Sequence, residues 1–156
     1  MNTKGFSIMV FILLLGCSQK ETSPAPESPV FTRSWKVERY PYSNAMLTIS
    51  PDYRFTYYET GHTSESFSGG IWKQTDDTLI LTSTRPAECL IVDDFALKDN
   101  ISPDSLKTTI KDCVPAVSTS FFTDFRSYRF IIRGDSLIFL DLNPEYQRMY
   151  GNYKIY

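Results

Sequence analysis

The sequence predicts an all-β domain, mainly antiparallel, folded into a closed or nearly closed barrel of about eight to ten short strands with one short helix. Three observations carry this. Apolar residues recur with a two-residue period in segment after segment beyond residue 31, and Pro, Gly, Asn and Asp punctuate those segments at short intervals. The composition, 42% hydrophobic and 15% aromatic over 156 residues, favours side chains that fit a pleated, half-buried surface. No long helical pattern is available to cover a sheet edge, and closing the sheet on itself removes its edges. The length suits one domain.

Taken in order, the chain begins with Lys4 as a positive flank, an apolar run from Phe6 to Leu15, and then Gly16 and Cys17. The run falls short of the roughly 20 apolar residues a membrane span needs, and Ser18, Gln19, Lys20 and Glu21 follow at once. Leu14-Leu15-Gly16-Cys17 resembles the lipobox of bacterial lipoproteins. The resemblance implies cleavage after residue 16, acylation of Cys17, and anchoring of the protein to a membrane through that residue. The alternative is an ordinary signal peptide in which Cys17 is incidental. Ser18-Gln19-Lys20-Glu21 is similar to the lysine-plus-acid tag of Gram-negative surface lipoproteins. That resemblance implies the cell envelope, with an outer-membrane anchor and display at the cell surface. Residues 1–16 thus read as signal peptide and 17–30 as lipidated cysteine and tether. Thr22 to Val30, with three prolines, is semi-rigid, and the thirteen residues from Ser18 to Val30 span roughly 40 Å at about 3.1 Å each.

Residues 31–156 form the folded domain. Trp35, Val37 and Arg39 share one face of a first strand over 33–40, and Pro41 to Asn44 turns the chain. Leu47 and Ile49 alternate in a second strand, and Ser50-Pro51-Asp52 forms the next turn. Phe55 and Tyr57 alternate in a third strand. A polar loop, Thr60 to Ser66, leads to a fourth strand over 67–73 whose Gly69 and Gly70 invite a bulge or close packing. After Gln74 to Asp77, Leu79 and Leu81 alternate in a fifth. Cys89 to Val92 reads as a strand ended by Asp93-Asp94.

Ser102-Pro103-Asp104 then has the pattern of a helix start, with Leu106, Ile110 and Cys113 forming a narrow stripe that Pro115 stops. The last third reads as four strands, 128–133, 136–142, 145–150 and 153–156, the first two joined by a Gly134-Asp135 hairpin turn. Phe55, Tyr57, Gly70, Trp72, Lys73, Asp77, Thr78, Leu79, Ile80 and Leu81 together resemble the lipocalin-like domains of small bacterial lipoproteins. The resemblance covers about forty residues, and implies a barrel with a binding role.

Charge and motifs narrow the function. The net charge is −2, and without the leader it falls to 15 basic against 18 acidic side chains, which offers no footprint for nucleic acid. His62 is the only histidine and lies in the polar loop with Thr63, Ser64 and Glu65, which reads as solvated. No nucleophile elbow or phosphate loop occurs. Asp76-Asp77 and Asp93-Asp94 are carboxylate pairs read as turn or strand-end solubility. No catalytic residue, metal ligand or cofactor is therefore assigned, and the chain reads as a non-enzyme.

With Cys17 acylated, Cys89 and Cys113 remain as an even pair in an oxidising compartment and are expected to form a disulfide. The rival is two buried free thiols. Tyrosine offers the remaining functional signal. Tyr57, Tyr58, Tyr128 and Tyr146, with Trp72, are candidate binding residues for a small apolar ligand, a glycan or a protein at an open barrel end. The plain alternative is that these rings only pack the sheet. Three functions stay open: a ligand-binding lipoprotein, a surface protein-binding or inhibitor module, and an enzyme with an unrecognised site.

Overall fold

The computed structural model describes residues 29–39, 44–97 and 107–156. Among them are ten strands, β1 (Ser34–Glu38), β2 (Asn44–Ile49), β3 (Arg54–Thr60), β4 (Glu65–Thr75), β5 (Thr78–Ser83), β6 (Ile91–Asp94), β7 (Ser120–Asp124), β8 (Arg126–Arg133), β9 (Ser136–Phe139) and β10 (Lys154–Ile155), and one helix, α1 (Pro144–Tyr150).

Eight strands form one antiparallel path in the order β10-β1-β2-β3-β4-β5-β8-β9. The path curls until its two ends meet, giving a nearly closed barrel of the expected class. Alternation explains the inner face. Trp35 and Val37, then Ala45, Leu47 and Ile49, Phe55 and Tyr57, Trp72, Leu79 and Leu81, Tyr128 and Phe130, Leu137 and Phe139 all point inward and are buried. Tight turns set the register. Asp76 takes a positive φ of 53° in the two-residue turn between Thr75 and Thr78, and Gly134 takes the same φ between Arg133 and Ser136.

Two side chains from outside the strands fill the ends of this interior. Phe31, buried, packs edge-on against Trp72 at 5.1 Å at one end, where Trp35 Nε1 donates to the Phe31 carbonyl. Phe95, just after β6, enters nearer the other. Its ring stacks on Phe125 at 4.3 Å and meets Tyr57, Phe130, Phe139 and Tyr153 at 5.0–5.9 Å. Aromatic rings gain from such edge and offset contacts beyond their burial, so the interior is a packed core.

Beside the barrel a smaller layer is added at β4. The second half of β4 pairs with β5, while Glu65, Ser66 and Phe67 pair in parallel with β7, and β7 pairs in parallel with β6. Leu90, Val92 and Phe122 form a second core there, against Phe67 on the outer face of β4. The Cys89–Cys113 disulfide closes this layer, and Ile91 bridges Thr108 across it.

Four expectations differ from this structure. The segment 107–113 is not helical. Val92 N donates to the Lys107 carbonyl and Thr109 N to the Leu90 carbonyl, so this segment lies along β6, where β-branched Thr108, Thr109 and Ile110 suit an extended chain better than a helix. The rest of that expected helix, 102–106, lies outside the described residues. Among the described residues a helix forms at Pro144–Tyr150, a segment expected as a strand over 145–150. Asn143 caps it by accepting from the amides of Glu145 and Tyr146, and Pro144 sits in its first turn. Asp93 and Asp94, read as solvated strand-end residues, are the last two paired residues of β6, and Asp94 is buried. Finally, β7 lies in a stretch read as connection. Its burial does not alternate, because parallel partners and the second core take up both of its faces.

Candidate functional site

The five aromatic residues expected to bind a ligand are not brought together. Tyr57 and Tyr128 are core residues whose hydroxyls donate to Glu59 and Asp94. Burial raises the pKa of both, and the neighbouring carboxylates raise it further. Trp72 closes the Phe31 end, its Nε1 donating to the Ser50 carbonyl at 2.8 Å. Tyr146 lies on α1, and its hydroxyl donates to the Arg39 carbonyl at 2.8 Å. Tyr58 alone among the five is well exposed, on the outer face of β3. His62 is exposed in the turn between β3 and β4.

The barrel end near Phe95 carries a buried polar network that the sequence hinted at only through Arg39. Its guanidinium, with no exposed side-chain surface, donates to Glu59 at 3.1 Å, to Asp93 at 2.6 Å and to the Asp94 carbonyl at 2.7 Å, and lies 5.2 Å over the Phe95 ring. Glu59 Oε2 also accepts from Tyr57, while Glu59 Oε1 is buried without a hydrogen-bond partner. Next to it, Asp94 accepts from Tyr128 and from the amide of Ala96, and Arg126 pairs with Asp124 at 3.2 Å. A charge that far from water persists only when it is paired. The network therefore fixes the position of Phe95 and of β6 against β1 and β3. Among the described residues no three His, Cys, Asp or Glu side chains are placed to hold a metal ion.

A concave site with access to solvent lies elsewhere, on the outside of the barrel. Register places Met46, Tyr58 and Phe67 in one row across the outer face of β2, β3 and β4, with Thr48, Thr56 and Gly69 in the next, and Arg54 beside Ile71 beyond. Met46, Tyr58 and Ile71 are 43%, 49% and 58% exposed, so this outer face presents apolar side chains where a barrel usually presents polar ones. Gly69 leaves a hollow in it, of about 330 Å³, walled by Arg54, Thr56, Phe67, Thr84, Pro86 and Phe122. The chain after β5 forms one wall, held by Thr84 N donating to the Gly69 carbonyl at 2.8 Å.

Sequence reasoning noted Gly69 and Gly70 and missed the hollow. Gly70 faces inward, where an added Cβ would collide with the Thr82 carbonyl and lie 2.8 Å from the Phe55 ring, so it answers the expectation of close packing. Gly69 faces outward, and an added Cβ would meet only the Phe55 carbonyl at an ordinary 3.6 Å. The far walls come from Pro86, in the connection after β5, and Phe122, in β7, whose placement no periodicity reveals.

No helix among the described residues is long and apolar enough to cross a membrane. In comparisons with known proteins, the chain matches no family, no curated protein and no solved structure.

Proposed function

We propose that this chain is an envelope lipoprotein, anchored to the outer membrane of a Gram-negative bacterium through acylated Cys17, and that its barrel is a non-catalytic binding module that engages its ligand on the outer face of β2–β4. The observation that carries the binding surface is a contrast between the two faces of the sheet. The inner face is filled by its own aromatic side chains, with Phe95 and Phe31 closing it. The outer face carries the apolar row of Met46, Tyr58 and Phe67 and the hollow over Gly69. The anchor rests on the run ending in Gly16-Cys17, and display at the cell surface on Lys20-Glu21. The exposed row with Ile71 also favours a second reading, in which a protein partner covers this face.

Two measurements test the proposal. Cells fed a fatty-acid analogue should label the wild-type protein, and unchanged labelling of Cys17→Ala would remove the anchor. Hydrogen exchange of the purified protein with and without solubilised envelope extract should show new protection at residues 56–58 and 67–71. Protection confined to the strands' inward contacts, or none at this face, would remove the outer-face site.

A further inference from the structure

The hollow over Gly69 has two unlike ends, and this difference names the chemistry it selects. The inference rests on the outer-face reading above. One end is closed by the rings of Phe67 and Phe122, Phe122 being anchored in the second core. At the other end the hollow opens past Thr56 to Arg54, whose side chain is 75% exposed. The ion pair of Arg54 among the described residues is a loose one, 3.9 Å to the equally solvated Asp52. The guanidinium is thus a planar two-pronged donor at the mouth of an apolar trough, the arrangement that receives a carboxylate.

Size limits the body of the ligand. A volume of about 330 Å³ lies at the lower end of the roughly 300–1,000 Å³ of small-molecule sites, enough for one ring or one medium-length chain. The floor is rigid, because Gly69 and Gly70 pair with β3 on one side and Gly70 pairs with Ser83 of β5 on the other. The trough therefore exists before a ligand arrives. We propose that the hollow over Gly69 binds a small amphipathic monocarboxylate, its apolar body against Phe67, Phe122 and Pro86 and its carboxylate on Arg54. The apolar body supplies the affinity, while the exposed Arg54 sets the preference among head groups, by about fivefold for a solvent-exposed charge pair.

The test uses the full chain with Cys17→Ser and three probes of one chain length, decanoate, decanol and decylamine, each below its micelle concentration, read by backbone amide shifts. Decanoate should move the amides of Thr56, Gly69, Gly70 and Thr84 saturably, with a Kd about fivefold below that of decanol, and decylamine should bind more weakly than either. Arg54→Gln, at an exposed position, should abolish the preference of decanoate over decanol. Gly69→Leu should abolish binding of all three while the remaining amides keep their dispersion. Decanol or decylamine binding at the same amides as tightly as decanoate would overturn the carboxylate and leave the outer-face site standing. No saturable shift at those amides with any probe would overturn the hollow as a ligand site. Shifts at inward positions such as Leu47 and Leu81 instead would overturn the outer-face reading as well.

Discussion

The rings of Phe139 and Tyr153 stack 5.6 Å apart and within 12° of parallel, and they join the two ends of the antiparallel path. Phe139 belongs to β9, Tyr153 immediately precedes β10, and these strands are not hydrogen-bonded partners in the sheet. The seam of the barrel is thus closed by side chains. The Tyr153 hydroxyl also donates to the Phe95 carbonyl at 2.9 Å, which ties the seam to the residue that fills this end of the core. An ion pair at 3.1 Å from Arg33, just before β1, to Asp135, in the turn before β9, lies at the surface, where it contributes little.

The first prediction follows from that seam. Phe139→Ala removes a buried ring from contacts with Phe95, Tyr128, Phe130 and Tyr153 and should cost about 3–5 kcal/mol in urea unfolding. Tyr153→Phe keeps the stack and removes the hydroxyl that donates to the Phe95 carbonyl and accepts from Arg39 Nε, so it should cost about 1–3 kcal/mol. A cost below about 1 kcal/mol for Phe139→Ala would show that the barrel does not depend on this closure.

Arg39 carries the second. Arg39→Met keeps the length of the side chain and leaves Glu59 and Asp93 facing each other's buried surroundings without their cation. Breaking a buried pair from one side should cost about 3–5 kcal/mol. Adding Glu59→Gln should recover part of that loss, because the variant no longer buries an unpaired carboxylate there. Equal stability of the single and double variants would show that Glu59 is not coupled to Arg39.

Tyrosine ionisation supplies the third. Burial raises the pKa of Tyr57, Tyr128 and Tyr153 above the ordinary value of 10.0. The folded state therefore holds these protons where the unfolded chain has begun to release them. Their contribution is complete below about pH 10 and declines as pH rises above it toward the folded values. Stability should be insensitive to these groups near neutrality and fall steadily in alkali. Tyrosinate absorbance should show the native protein titrating fewer tyrosines near pH 10 than the denatured chain does, and identical curves would contradict the buried hydroxyls.

The hairpins were legible because their alternation and turn residues point to the same register, as at Leu79 and Leu81 or at Gly134-Asp135. The helix at Pro144–Tyr150 was not read from the sequence, although Asn143-Pro144 carries the same capping signal as Ser102-Pro103. Tyr146, Met149 and Tyr150 stand at the helical spacing i, i+3 and i+4, but the segment is short and tyrosine-rich between two turn signals, which also suits a strand. Of the second layer, β6 and the Cys89–Cys113 bond were legible, while β7 and the parallel pairing left little trace. Parallel pairing needs partners far apart in sequence, and Phe121-Phe122-Thr123 shows strand propensity without the alternation that reports an exposed face. The outer hollow was half legible, through its two glycines and not through its walls.

Those two glycines give the fourth prediction, in which neighbours should respond with opposite sign. Gly70→Ala places a methyl group against the Thr82 backbone and the Phe55 ring and should destabilise by about 1–3 kcal/mol. Gly69→Ala adds only an ordinary contact, at a position without a positive φ, and should stabilise by about 0.4–1 kcal/mol through the unfolded chain. Thermal unfolding of the pair distinguishes the inward from the outward residue, and equal effects would contradict the assigned register.

The last prediction concerns the bond between Cys89 and Cys113, which closes 24 residues of sequence beside the second core. In the chain-entropy account such a loop contributes roughly 3.5 kcal/mol. Its effect should be local, because Leu90, Val92 and Phe122 form a cluster separate from the barrel core, while the eight-strand path is paired without them. Reduction, or the Cys89→Ser, Cys113→Ser variant, should speed hydrogen exchange at the amides of Leu90, Val92 and Thr109, whose bonds run within this layer. Amides of β1–β3 should exchange more slowly than these. The consequence reaches the outer face, since Phe122 is a wall of the hollow over Gly69 and is held there by that cluster. Loss of the bond should therefore weaken binding at the hollow more than it disturbs Leu47 or Leu81 in the barrel. Uniform acceleration across both regions would instead make the disulfide a support of the whole barrel.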